Sequence, residues 1–334
     1  MSGAIGYYVH HVGRGHLHRA TALATHLAAT GGPAVTGLSS LPRPADWPGE
    51  WVQLPRDDDG PADALSGTTA RATLHWAPLH HDGLRERTAA ISAWIAAARP
   101  RAVVVDLSVE VGLLVRLHGV PVVAVVLPGR RDDPAHLLGL ENADELVAFW
   151  PAEAHGMLQG VPPSVRDRLH TVGALSRFAT GAPEPRPASL GGPRHAVLLV
   201  GSGGHRAIAP VDGDGWRWTT LGAGPGGWVA DPLAILRTAD VVVTHAGQNA
   251  VAETAALRLP AVVVPQDRPH EEQRTTAAVL REGPWPALVL DDWPRGPAAT
   301  PALDEAAALD GRRWAEWCDG RAVERFADVV RGAA

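Results

Sequence analysis

A run of β-branched residues followed by a glycine turn and a helical segment constrains the fold of this chain most. It lies in residues 239–273, which read ADVVVTHAGQNAVAETAALRLPAVVVPQDRPHEEQ. The valines at 241–243 are typical of a buried parallel strand, after which the chain turns through Gly247 into a predicted helix. A second strand is predicted at 261–264, with a polar loop after it. Strands that alternate with helices in this way predict an α/β fold with a mostly parallel sheet.

The turn and the start of the predicted helix have the chemistry of an anion site. Gly247 lets a ligand approach the backbone, and Gln248 and Asn249 are predicted to cap the helix. The free N–H groups of a first helical turn favour an anion such as a diphosphate. Glu253 lies one turn beyond Asn249 on the same face, where its carboxylate could accept hydrogen bonds from ribose hydroxyls. The polar side chains of the following loop could read the hydroxyls of a sugar.

This ordered series resembles the donor-binding half of GT-B glycosyltransferases. The similarity is greatest to the family 28 branch of the bacterial peptidoglycan N-acetylglucosaminyltransferase. The resemblance implies two Rossmann-like doubly wound domains that face each other across a cleft, and a nucleotide-sugar donor, a UDP-sugar such as UDP-N-acetylglucosamine. Carried over by position, the diphosphate contacts are His245, Gly247, Gln248 and Asn249, the ribose contact is Glu253, and the donor-sugar contacts are Asp267, Glu272 and Gln273.

A second strand, glycine turn and helix open the chain. The strand is predicted at 5–9 and the helix at 16–30. The sequence GRGHLHR at 13–19, which spans the turn and the start of the helix, resembles the Gly-x-Gly-His-x-x-Arg pattern of many GT-B transferases. The resemblance implies that Gly15 lies at the diphosphate and that His16 is a general base or a substrate contact. An imidazole titrates near neutrality and can take the proton of an acceptor hydroxyl. Arg19 shares the helix face of His16 and could hold a phosphate or orient a carboxylate. The alternative for His16 is that it only caps or packs the helix.

Asp106 ends a predicted strand at the sheet edge where ligands of open α/β sheets bind. It could orient His16, act as the base itself, bind the acceptor, or cap the helix that begins near Ser108. These roles stay open from the sequence. His80, His81 and Glu110 are weaker candidates of the same kind.

A further glycine turn, at residues 201–204, follows the predicted strand 196–200. By resemblance, Ser202 and Gly203 contact the diphosphate, and Trp228 and Val229 contact the nucleobase. Only about ten residues separate this turn from the next predicted strand, which is fewer than a crossover helix needs. The first helix of the second domain is therefore expected to be short or missing.

The length of 334 residues predicts two domains, because a single core stops growing at roughly 250–300 residues. A stretch rich in proline and glycine at 177–194 is the predicted linker. The expected division is an acceptor-binding domain at 1–176, a donor domain at 195–318, and a helix at 319–334 that packs back on the first domain. The irregular span 55–82 is a natural place for an acceptor pocket or lid.

Charge and residue usage exclude several other functions. The net charge of −6 argues against a general nucleic-acid binder, and all 30 basic residues are arginine, which excludes Schiff-base lysines and a P-loop lysine. Cys318 is the only cysteine, so an intrachain disulfide and a thiolate metal cluster are excluded, and a reducing cytoplasm fits. Neither a secretory signal nor an apolar run of membrane-spanning length is found, although a lipid-linked acceptor would allow peripheral membrane contact.

The histidines near the N-terminus could suggest a metal site, but none is predicted. His10 and His11 would point to opposite faces if the first strand continued, and no carboxylate is close in sequence to complete a ligand set. The leaving diphosphate can instead be neutralised by helix dipoles and backbone N–H groups. No cofactor is expected beyond the nucleotide-sugar co-substrate.

The predicted function is transfer of a sugar, with inversion and without metal, from a nucleotide-sugar to an unidentified acceptor. That acceptor could be a lipid-linked saccharide, a natural-product aglycone or a protein side chain. One alternative is an enzyme like the UDP-N-acetylglucosamine 2-epimerase, which would need carboxylates converging on the sugar. Another is a non-catalytic nucleotide-sugar-binding partner protein. The oligomeric state is left open.

Overall fold

Two parallel sheets flanked by helices make up the computed structural model of this chain. The structure describes residues 3–12, 15–59, 67–181, 192–201, 208–210, 215–222, 229 and 231–334. The α/β class and the mostly parallel sheets expected from the sequence are confirmed.

The first sheet has seven parallel strands, which are β1 (Ile5–Val9), β2 (Val35–Ser39), β3 (Trp51–Gln53), β4 (Ala102–Asp106), β5 (Val122–Val126), β7 (Glu145–Ala148) and β9 (Leu169–Thr171). A separate ribbon pairs β6 (Gly129–Arg130) with β8 (Leu158–Gln159). The seven strands lie in the order β3-β2-β1-β4-β5-β7-β9. The order reverses between β1 and β4, and the carboxyl ends of strands at such a point form a ligand crevice.

The second sheet has five parallel strands, which are β10 (Arg194–Val200), β11 (Trp216–Gly222), β12 (Val241–Thr244), β13 (Ala261–Val263) and β14 (Ala287–Val289). Their order is β11-β10-β12-β13-β14, so the second reversal lies between β10 and β12. Residues 201, 208–210 and 215, the described part of the β10–β11 connection, are not helical. The expectation of a missing first helix otherwise concerns residues outside the described part of the chain.

The helices are α1 (Gly15–Ala29), α2 (Asp82–Ala98), α3 (Val109–Leu117), α4 (Pro134–Asn142), α5 (Pro163–Arg166), α6 (Leu233–Leu236), α7 (Gln248–Ala256), α8 (Glu272–Glu282), α9 (Ala299–Ala307) and α10 (Ala322–Ala333). Short 3₁₀ turns cover Pro269–Glu271, Gly296–Ala298 and Gly311–Ala315. No helix within the described residues is both long and apolar enough to cross a membrane.

Two details of the predicted donor segment are wrong. Gln248 and Asn249 do not cap α7, because the N-cap is Gly247 and no side chain bonds to the first turn. The polar loop after β13 is also shorter than expected, since Glu272 and Gln273 already belong to the first turn of α8. Both side chains are therefore presented from a helix.

The apolar core is shared between the two halves of the chain. One cluster of buried side chains runs from Tyr8 in β1 to Val242 in β12 and Trp317. The last helix, α10, packs against the first sheet through Phe326, which makes an edge-to-face contact with Tyr7. Just before α10, the buried thiol of Cys318 donates to the carbonyl of Ala174 at 3.3 Å. The end of the chain thus returns to the N-terminal domain.

Candidate active site

His16 and Asp106 meet at the crevice of the first sheet. His16 lies in the first turn of α1, directly after β1, and Asp106 is the last residue of the neighbouring β4. The Nδ1 atom of His16 lies 2.8 Å from Oδ1 of Asp106. The imidazole remains 13% exposed, whereas the carboxylate is fully buried. Two residues 90 positions apart in sequence therefore form one pair because parallel strands end at the same edge.

Arg19 and Tyr7 complete the surroundings of the Asp106 carboxylate. Arg19 donates from Nε to Oδ2 at 2.8 Å and from a terminal nitrogen to Oδ1 at 2.9 Å, and the Tyr7 hydroxyl donates to Oδ2 at 3.0 Å. Burial alone would raise the pKa of Asp106, but the charge of Arg19 and the contact with His16 outweigh it and hold that pKa well below its usual range. Asp106 therefore stays ionised.

This geometry favours an orienting role for Asp106 over the other roles that its position suggested. A fully buried carboxylate cannot reach an acceptor, and its low pKa makes it a poor base. Nδ1 of His16 also lies 2.8 Å from a terminal nitrogen of Arg19, and an Nδ1 that accepted from Arg19 would leave the hydrogen on Nε2. When Nδ1 instead carries a hydrogen and donates it to Asp106, the lone pair of His16 lies on Nε2. The pair is then suited to proton abstraction by His16, with Asp106 stabilising the imidazolium that forms.

The first turns of α1 and α7 face each other across the cleft. A side chain at Gly15 would place its Cβ only 2.5 Å from Nδ2 of Asn249. Each helix begins with unpaired backbone N–H groups, and both dipoles have their positive ends at this point. The predicted diphosphate residues Gly15, Gly247, Gln248 and Asn249 are thus brought together.

His245 and Gln273 support the turn before α7. The buried imidazole of His245 lies 2.7 Å from the carbonyl of Val264 and 2.5 Å from the side-chain amide of Gln266, so it braces the turn from inside. Gln273 accepts from the backbone N–H of Gln266 at 2.9 Å, and its amide nitrogen lies 3.9 Å from the position of a Cβ on Gly247. Gln273 therefore sits beside the start of α7, while the His245 side chain has a bracing position.

Glu253 already has a partner. Its Oε1 lies 2.8 Å from Nε of Arg177, at the start of the predicted linker. Burial raises the pKa of Glu253, and the positive charge of Arg177 opposes that rise. A ribose that bonds to Glu253 would have to share this carboxylate with Arg177 or displace it.

The remaining predicted sugar contacts separate. Glu272 accepts from the buried Arg131 of the first domain at 2.7 Å, which places it at the interface of the domains. Asp267 pairs with Arg274 and is 85% exposed, so its side chain lies on the surface. Val229 packs against the shared core. The predicted contacts Ser202, Gly203 and Trp228 lie outside the described residues.

A cavity of about 770 Å³ opens beside the crevice in the first domain. Its walls come from α2, α3, α4, β4 and β5, and part of its rim comes from His270 and Glu272 of the second domain. Residues 74–77, in the irregular span after β3, also line it. Glu110 holds this segment by accepting from the backbone N–H groups of His75 and Trp76 at 2.7 and 2.9 Å. The weaker candidate His81 instead caps α2 by accepting from the N–H of Leu84, and His80 has positive φ in the turn before it.

Among the residues that the structure describes, two groups of side chains could in principle hold a metal ion. They are His75 with Asp133 and His136, and His11 with Asp57 and Asp58. In the first group, Arg131 lies 3.1 Å from Nε2 of His136 and donates to it, which leaves the hydrogen on Nδ1 for the bond to Asp133. That hydrogen-bond arrangement occupies the nitrogen lone pair that a metal would need.

The first strand does not continue to His10 and His11, so the orientation expected for a continued strand does not apply. The strand ends at Val9, and the two rings stack with centroids 4.9 Å apart instead of pointing to opposite faces. Burial, with His16 and His11 nearby, lowers the pKa of His10 to about 4. His10 is therefore neutral at physiological pH.

Several residues of the site were not predicted to have these roles. The sequence did not indicate a site role for Tyr7, because a tyrosine in a buried strand is typical of the apolar core. Arg131 and Arg177 are isolated arginines in irregular sequence, and their partners lie 141 and 76 positions away. Only Arg19 carried a usable signal, since its spacing from His16 predicts a shared helix face.

Comparisons with known proteins agree with this architecture. Residues 229–283, which include α7 and Glu253, match the glycosyltransferase family 28 C-terminal domain. The structure is similar to that of the glycotransferase of kitacinnamycin, with a TM-score of 0.65 at 18% identity over 99% of both chains. The chain has the GT-B fold of these proteins.

Other glycosyltransferases of this fold cover the chain equally well. SnogD from Streptomyces nogalater has a TM-score of 0.62 at 17% identity over all of both chains. MurG of Acinetobacter baumannii has a TM-score of 0.60 at 14% identity over 98% of this chain and 99% of MurG. No curated protein sequence matches it. The GT-B prediction is thereby confirmed.

Proposed function

We propose that this glycosyltransferase moves a sugar from a UDP-sugar, such as UDP-N-acetylglucosamine, to a hydroxyl group of an acceptor, with inversion and without a metal ion. The observation that carries the proposal is the meeting of the α1 and α7 N-termini beside the His16–Asp106 pair. It supports a site for a leaving diphosphate next to a group that can activate a nucleophile.

Each residue then has a distinct part. His16 takes the proton of the acceptor hydroxyl through Nε2 as its oxygen attacks the anomeric carbon, and Asp106 holds the ring. A single in-line displacement breaks the bond to the diphosphate and inverts the anomeric centre. The helix N-termini stabilise the negative charge of the departing UDP. Glu253 binds the ribose, which shares the carboxylate with Arg177 or displaces it. Gln273 lies where it can contact the donor beside Gly247.

A donor-binding experiment tests the site without knowledge of the acceptor. We expect UDP to raise the melting temperature of the wild type and to do so much less for Glu253→Ala. Glu316→Ala, a matched change at an exposed surface glutamate, should respond like the wild type. If UDP fails to stabilise the wild type, or Glu253→Ala keeps the full shift, the proposed donor site is wrong.

A turnover experiment tests the chemistry. With UDP-N-acetylglucosamine and water or an added alcohol as acceptor, we expect slow release of UDP that falls on the order of 10²-fold or more in His16→Ala, while UDP binding persists. Formation of an epimeric UDP-sugar would instead favour the epimerase. Binding without any turnover would favour a non-catalytic partner protein.

A further inference from the structure

We propose that the cavity beside His16 is the acceptor site and that it takes an uncharged, largely apolar molecule of drug-like size carrying a hydroxyl group. This inference rests on the proposed function and adds the acceptor class to it. A volume of about 770 Å³ is in the range of pockets that enclose such molecules.

The walls of the cavity are mainly aliphatic. They include Leu84 and Ile91 of α2, Val111 and Leu114 of α3, and Leu140 of α4. A saccharide or a peptide backbone placed against these side chains would leave polar groups without partners, which is costly. A hydrocarbon or aromatic body would instead gain from leaving water.

The charged side chains that the structure describes along this cavity are already paired. Arg87 forms an ion pair with Asp57, and Arg131 forms one with Glu272. Glu110 accepts from two backbone N–H groups and from Ser108, and Asp58 pairs with Arg56 and His11. An anionic acceptor would lose its water shell here without gaining a cationic partner, because both arginines of the lining are already in ion pairs. The cavity therefore selects against anionic molecules.

His10 marks the end of the cavity that faces the reaction. It lines the cavity, and its ring centroid is 5.8 Å from that of His16. Its Nδ1 accepts from the backbone N–H of Val12 at 3.1 Å, so in the neutral ring the hydrogen is on Nε2. That N–H can donate to the acceptor oxygen and hold the hydroxyl next to His16. His10 is thus a positioning residue for the nucleophile.

Filling the cavity tests the binding site. Gly112 lies in α3 on the cavity wall, and the nearest atom to a Cβ there is 3.9 Å away, on Val122. In Gly112→Leu we expect at least a tenfold loss of affinity for the neutral fluorescent probe N-phenyl-1-naphthylamine. The control is Gly332→Leu, at an exposed helical glycine of α10 with no atom within 4 Å of a Cβ, and it should bind like the wild type. Unchanged probe affinity in Gly112→Leu would overturn the proposal.

The same experiment separates this inference from the proposed function. Gly112→Leu should keep the thermal stabilisation by UDP, because Gly112 is not among the residues of the proposed donor site. If UDP stabilises the wild type but the probe does not bind to it, the acceptor class is wrong while the donor site stands. If UDP also fails to bind, the proposed function fails first.

Displacement of the probe tests charge and the role of His10. 4-Phenylphenol should displace it at concentrations at least tenfold lower than 4′-hydroxybiphenyl-4-carboxylate, and equal displacement would contradict selection against anionic molecules. 4-Phenylphenol should also bind several-fold more tightly than biphenyl in the wild type, and this preference should vanish in His10→Phe while probe binding persists. A preference retained in His10→Phe would show that another group holds the hydroxyl.

Discussion

Asp106 is the residue whose environment most determines the chemistry of the first domain. Its buried carboxylate is held ionised by Arg19, Tyr7 and His16. Because Arg19 is equally buried, each of the two charges depends on the other for compensation. The orientation of His16 and the stability of the domain therefore rest on the same contacts.

Replacing Asp106 by asparagine should destabilise the protein by about 3–5 kcal/mol at pH 7, because Arg19 would keep a buried charge without a counter-ion. A carboxylate with a depressed pKa stabilises the fold fully above its unfolded pKa of about 3.9. This contribution is lost as the pH falls from there toward the lower folded pKa. Urea unfolding at pH 7, 5 and 3.5 measures the free energy of unfolding of both proteins. The difference in this free energy between the wild type and Asp106→Asn should narrow only at pH 3.5.

An exposed ion pair supplies the control for that series. Asp328 pairs with Arg331 on α10 and is 74% exposed, so Asp328→Asn should cost about 0–1 kcal/mol. Equal losses of unfolding free energy in Asp106→Asn and Asp328→Asn would contradict the role of Asp106 as a buried, ionised carboxylate. A loss in Asp106→Asn that grows as the pH falls would contradict it as well.

At the scale of elements, the contact between β6 and the turn before α8 joins the two domains. Gly129 has φ +108°, and a Cβ there would overlap the backbone carbonyl of His270. The turn itself is strained, since His270 and Glu271 both have positive φ. This close approach of two backbones is possible only because Gly129 has no side chain.

Gly129→Ala should therefore destabilise the protein more than a change at another glycine with positive φ. Gly119 has φ +72° but no atom within 4 Å of a Cβ, so Gly119→Ala should cost only about 1–2 kcal/mol of backbone strain. We expect Gly129→Ala to lose roughly 1–3 kcal/mol more, from the displaced turn. Chemical denaturation measures the free energy of unfolding of both variants. Similar losses in the two would mean that the turn before α8 can move away from Gly129 without destabilising the protein.

Among the strands that the sequence predicted, β4 and β5 have the clearest pattern. Both β4 and β5 read as continuous β-branched segments, because they are buried on both faces. The sequence of β9, Leu-His-Thr, carries no such pattern, and only its pairing with β7 makes it a strand. Elements that depend on a distant partner for their definition could not be read locally.

The residues of the candidate site also fall into those that local sequence identifies and those that depend on distant partners. Gly15, His16, Gly247 and Glu253 were identifiable because each follows or belongs to a strand-turn-helix unit. The pairs Arg177–Glu253 and Arg131–Glu272 were not, because each joins sequence positions whose proximity depends on how the two domains pack.

For the whole molecule, the order of elements along the chain is not the order of the folded domains. The last helix, α10, follows the second domain in sequence, yet Phe326 is fully buried between Tyr7 and Phe149 of the first domain. The stability of the first domain thus depends on residues added at the end of the chain.

Phe326→Ala should cost about 3–5 kcal/mol and should loosen the first sheet in particular. Hydrogen exchange should show faster exchange in β1 and β4 than in β12. Leu303→Ala is the matched control, since Leu303 of α9 is buried against the second sheet, and its effect should appear in β12 instead. Equal loss of protection in both sheets from either variant would indicate that the two domains unfold as one unit.

The reactivity of Cys318 should report movements that separate the end of the chain from the first domain. Its thiol is 1% exposed at the point where the chain crosses back to the first domain, and burial raises its pKa, so the closed form should resist alkylation. Any movement that parts Cys318 from Ala174 would expose the thiol. The rate of alkylation would then report how often the crossing opens, without the introduction of a label and with no other cysteine to react.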